Sequence, residues 1–236
     1  MSAIEANLQA VRRRISAAAE QNERSAAAIT LLAVSKTRPA SDVLAAAIAG
    51  QRDFGENYAQ EGMDKILALR DLRAQGRLPE NGALVWHFIG PLQSNKTRLV
   101  AEYFDWAHSI ERLRIAERLS AQRPARLPPL QVCVQVNVSG EASKSGCPPE
   151  EALDLCLSVA DLPRLRLRGL MCIPAPAHDF PAQCRPFTQL RQSFLAIQAR
   201  CPALDTLSMG MSGDLEAAVQ SGSTLVRVGS AIFGER

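Results

Sequence analysis

Short apolar runs alternate with helical patterns along the whole of this chain, and no other feature narrows its fold so far. The runs with strand character are Thr30–Ser35, Arg52–Phe54, Leu84–Ile89, Trp106–Ile110, Leu130–Val138, Leu167–Ile173, Thr206–Met209 and Leu225–Val228. Helical patterns fall between them at Ser41–Ala49, Tyr58–Ala74, Ser94–Tyr103, Glu111–Gln122, Pro149–Ala160, Phe187–Arg200 and Ser212–Ser221. One more, Ala3–Ala19, precedes the first run. Parallel strands need crossovers that lie on the face of the sheet, so the alternation predicts a parallel sheet covered by helices. Eight such units in 236 residues favour closure into a single (β/α)8 barrel, an α/β fold of the TIM-barrel type, over an open sheet. Only three residues follow Phe233, so no helix is expected after the eighth strand, and the leading helix is expected to take that place in the ring. The prolines of Arg123–Pro129 and Pro174–Pro181 predict loops, and no low-complexity linker divides residues 1–236.

Hydrophobic residues make up 47% of the chain, enough for a sizeable core. The net charge of +3 is weak and scattered, which argues against nucleic acid as a partner. The most basic run, Arg12-Arg13-Arg14, sits in a helical pattern and reads as a solvated helix face. None of the six cysteines forms a CxxC and no histidine lies at metal-ligand spacing, so reduced, mostly buried thiols are expected and no metal. The segment MSAIEANLQAVRRRI carries Glu5 early and lacks the apolar stretch of a signal peptide. No run is long enough to span a membrane. The expectation is a soluble, cytoplasmic protein without a membrane partner.

In barrels of this kind the chemistry sits at the C-terminal ends of the strands. There the loops are polar and small: Lys36 after the first strand, Gly55-Glu56-Asn57-Tyr58 after the second, Ser208 to Asp214 after the seventh, Arg227-Val228-Gly229-Ser230 at the eighth. Glycine lets backbone N–H groups approach an anion, and serine adds hydroxyl donors. Ser208, Met209, Gly229 and Ser230 therefore fit the phosphate position usual after strands seven and eight. Lys36, ending an apolar strand, reads either as a solvated rim charge or as a nucleophile. The first and eighth strands are neighbours in a closed barrel, which brings Arg227 near Lys36. A nearby cation and partial burial both lower a lysine pKa, and such an amine can hold a carbonyl as a Schiff base. Beside a phosphate cradle, that suits pyridoxal phosphate or the substrate of a sugar-phosphate aldolase.

Other residues carry weaker signals. Gly90 to Thr97 nearly matches GxxxxGK[ST], but Asn95 replaces the second glycine and Pro91 removes a backbone N–H, which argues against a nucleotide phosphate loop. His87, between Trp86 and Phe88, and His108 read as packed, hydrogen-bonded histidines, and His178 as exposed. Tyr58 reads as a helix-packing residue that could instead face the mouth. Lys144 reads as a loop charge or as an attractor of a second anion.

Taken together, LLAVSKTRPA, FGENYAQEGMDKI, WHFIGPLQSNKTRLV, VQVNVSGEASKSG, LRGLMCIPAP and LSMGMSGDLEAAVQSGSTLVRVGSAIFG resemble the pyridoxal phosphate homeostasis protein family, in family order over nearly the whole chain. That family is similar to the barrel domain of alanine racemases and bacterial-type ornithine decarboxylases, without their second β domain. The resemblance implies pyridoxal 5'-phosphate held as a Schiff base on Lys36. It also implies phosphate contacts from Ser208, Met209, Gly229 and Ser230, Arg227 at the pyridine nitrogen, and Asn57, Met171 and His87 lining the ring or its approach. It further implies intracellular vitamin B6 buffering or delivery to apo-enzymes without robust catalysis, with a racemase-like enzyme as the alternative. A monomer is plausible on the same grounds. Lys144 matches a family lysine linked to a second cofactor site. Ser230 stands where threonine is usual and Gly213 where an acidic residue is common.

Overall fold

In the computed structural model, which describes residues 2–78, 83–141 and 144–235, eight parallel strands join edge to edge into a closed barrel. They are β1 (Thr30–Val34), β2 (Asp53–Glu56), β3 (Val85–Phe88), β4 (Trp106–Ile110), β5 (Leu130–Gln135), β6 (Leu165–Met171), β7 (Thr206–Ser208) and β8 (Leu225–Val228). Closure rests on β1 and β8, paired from Thr30↔Leu225 through Ala33↔Val228. The helices are α1 (Ala3–Gln21), α2 (Ala40–Ile48), α3 (Ala59–Ala74), α4 (Thr97–Tyr103), α5 (Leu113–Gln122), α6 (Ala152–Ala160), α7 (Phe180–Gln198), α8 (Leu215–Gln220) and α9 (Ser230–Phe233). Strands buried on both faces read as continuous apolar runs, which is why Leu31-Leu32-Ala33 shows no alternation.

The ring of helices is completed by α1. Its Ser2 cap accepts from the Glu5 N–H, and Leu8, Val11, Ile15 and Ala18 recur at helical spacing on its buried face. Arg14 makes a two-pronged bond to Glu216 of α8 and also donates to the Ser212 carbonyl at 3.0 Å. Arg12 reaches Gln51 at 3.3 Å. The basic run is therefore only partly the solvated face expected of it, because two of its three arginines tie α1 to its neighbours.

Three other boundaries differ from the sequence reading. The single helical turn α9 follows β8, where no helix was expected. The seventh helix begins at Phe180, inside the segment expected to be loop: Asp179 caps it by accepting from the Ala182 N–H at 2.8 Å, and Pro181 sits in the first turn, where a missing N–H costs nothing. Finally β2 runs on to Glu56, so that a carboxylate expected in a loop lies at a strand end, fully buried.

Most of the core lies between sheet and helices. Inside the barrel, by contrast, the apolar plug is small: Leu32, Ile89 and Leu225, with Val34 against them. Polar groups fill much of the rest, namely His87, His108, Ser208 and Arg227, all buried and hydrogen-bonded to one another across the barrel. At Gly169 on β6 any Cβ would overlap the backbone carbonyl of Thr206 on β7. Gly169→Ala is expected to destabilise the protein by about 1–3 kcal/mol, the range of overpacked cores, read from the midpoint of urea unfolding.

Candidate ligand site at the barrel mouth

A cavity of about 350 Å³ opens at the C-terminal ends of the strands, a size suited to a small organic ligand. Lys36, Asn57, Arg227, Gly229 and Ser230 line it together, although they come from three widely separated stretches of sequence. Ser212, Arg38 and the acidic Glu235 add to its polar rim, and Val34, Ile89 and Ile173 supply apolar walls.

The half-buried Lys36 leads into Thr37, whose φ of +63° is a costly conformation for a β-branched residue. A carboxylate holds that turn: Glu61 of α3 accepts from the Thr37 N–H at 2.6 Å. Glu61 is itself gripped by Lys65, one turn on, at 2.6 Å. Lys65, 6% exposed, also donates to Glu56 at 2.8 Å and to the Ser35 carbonyl at 2.6 Å. The Ser35 hydroxyl donates to the same Glu56 oxygen at 2.6 Å. Burial pushes the Glu56 carboxyl above its ordinary range, with Lys65 pulling the other way. This buried knot fixes the segment that presents Lys36. Sequence reasoning passed over it; the available signal was Lys65 falling on the same helical face as Ala59, Gly62, Ile66 and Leu69, a charge where only apolar residues belong.

Arg227 forms the floor. It is 4% exposed, yet its three hydrogen bonds go to neutral acceptors: the Ser208 carbonyl at 2.6 Å, the Ser208 hydroxyl at 2.8 Å and the Cys172 carbonyl at 2.8 Å. Desolvation lowers its pKa from the ordinary value, while Cys172 and Asp214 oppose that shift. The opposite wall is built by two short turns. Ser230 Oγ, at the start of α9, stands 3.4 Å from Ser212 Oγ in the loop after β7. The Met211 N–H donates to Asp214 at 2.5 Å, and Arg14 holds the Ser212 carbonyl, so both sides of that loop are anchored.

Four expected site residues lie outside the cavity lining. Ser208 is fully buried with its hydroxyl committed to Arg227 and His108. The Met209 side chain is in the core and its N–H donates to the Leu225 carbonyl. The hydroxyls that do line the cavity are those of Ser212 and Ser230. Met171 is fully buried beside Ser208 on the sheet, and His87 is inside the barrel, bonded to His108 and Asp53. Neither lines the cavity. Tyr58 does not pack as expected: it is 56% exposed at the head of α3. His178 is exposed as read. The six cysteines are free thiols, four of them buried, and burial pushes Cys172 up to about 12. Gly90 serves packing, since a Cβ there would strike the Asn57 backbone. Lys144 is half-buried in the loop after β5; Ser143 before it lies outside the described residues. Among the described residues no cluster of side chains suits a metal, and no helix is long and apolar enough to cross a membrane.

The profile of the family described as "Alanine racemase, N-terminal domain" matches residues 1–236. The pyridoxal phosphate homeostasis protein of Escherichia coli (strain K12) is 57% identical over 236 residues, spanning 100% of this chain and 98% of that protein. The chain belongs to the pyridoxal phosphate homeostasis protein family. A second member, PipY of Synechococcus elongatus, has been solved with PLP bound. It superposes with a TM-score of 0.81 at 33% identity, covering 98% of this chain and 100% of that one. Alanine racemase from Corynebacterium glutamicum shares the barrel, with a TM-score of 0.66 at 18% identity over 99% of this chain and 61% of its own.

In this member of the family the Lys65 knot is open to direct test. Removing one partner of a buried pair strands the other's charge. Lys65→Met is expected to cost about 3–5 kcal/mol in urea unfolding, and the double variant Glu56→Leu/Lys65→Met to recover much of that loss.

Proposed function

We propose that this protein is a pyridoxal 5'-phosphate carrier, which holds the cofactor through Lys36 and serves intracellular vitamin B6 homeostasis by buffering it or delivering it to apo-enzymes. The observation that carries this reading is the meeting in one cavity of an amine, a buried guanidinium and two facing serine hydroxyls. The donor set matches an aldehyde, a pyridine nitrogen and a phosphate respectively. The cavity also contains an unmet need. Asn57 Oδ1 is buried and, among the described residues, has no hydrogen-bond partner, an acceptor that a ligand hydroxyl would satisfy.

Bound pyridoxal phosphate supplies an aldehyde and an electron-withdrawing ring. Lys36 provides covalent attachment to the former, on a turn held rigid by Glu61. Ser212, Ser230 and the backbone around Gly229 would hold the phosphate; the Gly229 carbonyl already takes the Ile232 and Phe233 N–H groups. Arg227 faces the ring nitrogen. A guanidinium donates and cannot accept, so it keeps that nitrogen unprotonated and the ring a weak electron sink. Holding the cofactor is favoured over turning over amino acids.

A racemase-like enzyme is the alternative, and it needs a second acid–base group on the other ring face. Tyr58 is outside the cavity lining, and Cys172, its thiol pushed up to about 12, supplies no thiolate near neutral pH.

Borohydride treatment of the yellow, cofactor-loaded protein is expected to bleach it and leave the added mass on Lys36. Lys36→Ala is expected to lose covalent loading; full loading on another lysine would overturn the assignment. Single amino-acid enantiomers in deuterated water are expected to show no multiple-turnover exchange of the α-proton, by NMR. Rapid multiple turnovers would instead establish the enzyme.

A further inference from the structure

Beneath the cavity a string of side chains crosses the barrel interior. Arg227 Nη1 is 2.8 Å from Ser208 Oγ, which is 2.8 Å from His108 Nδ1. His108 Nε2 is 2.9 Å from His87 Nδ1, and His87 Nε2 is 3.1 Å from Asp53 Oδ1. The links come from β8, β7, β4, β3 and β2 in turn. Ser208, His108 and His87 are fully buried, whereas Asp53 is 27% exposed and lines a hollow apart from the cavity, together with Arg168 and Thr224.

The two ends fix the direction of every bond. A guanidinium only donates and a carboxylate only accepts. A neutral histidine has one donor and one acceptor nitrogen. Asp53 therefore takes the proton of His87 Nε2, which leaves His87 Nδ1 to accept from His108 Nε2–H. His108 Nδ1 then accepts the Ser208 hydroxyl proton, and the Ser208 oxygen is free to accept from Arg227. A protonated His87 would reverse the upper links, so that Ser208 Oγ accepted from both His108 and Arg227 and its own proton lost His108 as acceptor. Burial, with His87 and Arg227 beside it, holds the His108 imidazole well below its ordinary range and so neutral.

We propose that Ser208, His108, His87 and Asp53 are positioning residues for Arg227: a one-way chain of hydrogen bonds that holds its guanidinium toward the cavity and thereby keeps the ring nitrogen of the bound cofactor unprotonated. The part concerning the ring rests on the cofactor reading above; the direction of the chain does not. Asp53 is the one anion in the chain, and its charge reaches the cation at the other end through three polarised neutral groups.

The experiment has two arms. In the ligand-free protein, ring 15N NMR is expected to show both His87 and His108 as the Nε2–H tautomer. A protonated Nδ1 in either one overturns the chain, whatever the cavity binds. In the protein loaded with pyridoxal phosphate 15N-labelled in the ring, the ring nitrogen is expected to resonate as unprotonated. Ser208→Ala and Asp53→Ala are each expected to move it toward the protonated position and to displace the absorption maximum. His108→Gln, which keeps one acceptor and one donor, is expected to leave it near the wild-type position. Leu8→Ala, in the outer helix α1, controls for general loosening and is expected to move nothing. Ser208→Ala and Asp53→Ala proteins that both load on Lys36 with the wild-type resonance, or an equal shift in Leu8→Ala, would overturn the proposal. If Ser208→Ala does not fold, the exposed-end variant Asp53→Ala decides alone. Wild-type protein that fails to load on Lys36 defeats the cofactor reading, and the tautomers still judge the chain.

Discussion

The pairing of β1 with β8 joins the first strand of the chain to the last, and the mouth of the barrel exists only because of it. Leu32 lies opposite Arg227 and Ala33 opposite Val228, so the register that closes the sheet also sets Lys36 beside Gly229 and Ser230. The fit is close. A Cβ at Gly229 would stand 3.2 Å from the Val34 carbonyl, tight enough that a side chain there would press the two strand ends apart. Barrel closure and cavity formation are one event, stabilised by the same backbone ladder.

Two buried cations near this seam are satisfied in opposite ways. Lys65 has two carboxylates at bonding distance and its charge is locally cancelled. Among the described residues Arg227 donates to neutral oxygens, and Asp214 acts on it only at longer range. In a low-dielectric interior that difference is large. One cation serves the segment that carries Lys36; the other lines the cavity.

The sequence showed the barrel almost strand for strand, because alternation of apolar runs with 3.6-residue periodicity is a local signal that barrel closure does not disturb. Phe180–Arg185 escaped it: prolines that suggest loop are tolerated in a first helical turn, and Pro186 lies further inside the helix. That Lys36, Asn57, Arg227, Gly229 and Ser230 share one cavity follows from topology, since strand ends of a barrel converge. Side-chain direction was not legible. Ser208 and Ser230 look alike in sequence, both small hydroxyls near a strand end, but Ser208 is the last residue of its strand and turns into the barrel, whereas Ser230 starts a helix and turns out. The same blindness hid the partnership of His87 with His108, 21 residues apart and on adjacent strands. Each was legible as packed; that they bond one another was not.

Contacts between the chain's beginning and its end recur outside the sheet as well. Asn7 donates to the Ile232 carbonyl, and Arg24 to the carbonyls of Val219 and Ser223. Loop closure over such separations is entropically costly and slow. Because α1 and β1 are made well before β8, their apolar faces stay uncovered until the closing strand can pair. The cavity can assemble only once β8 has joined β1, because Gly229 and Ser230 follow that strand directly.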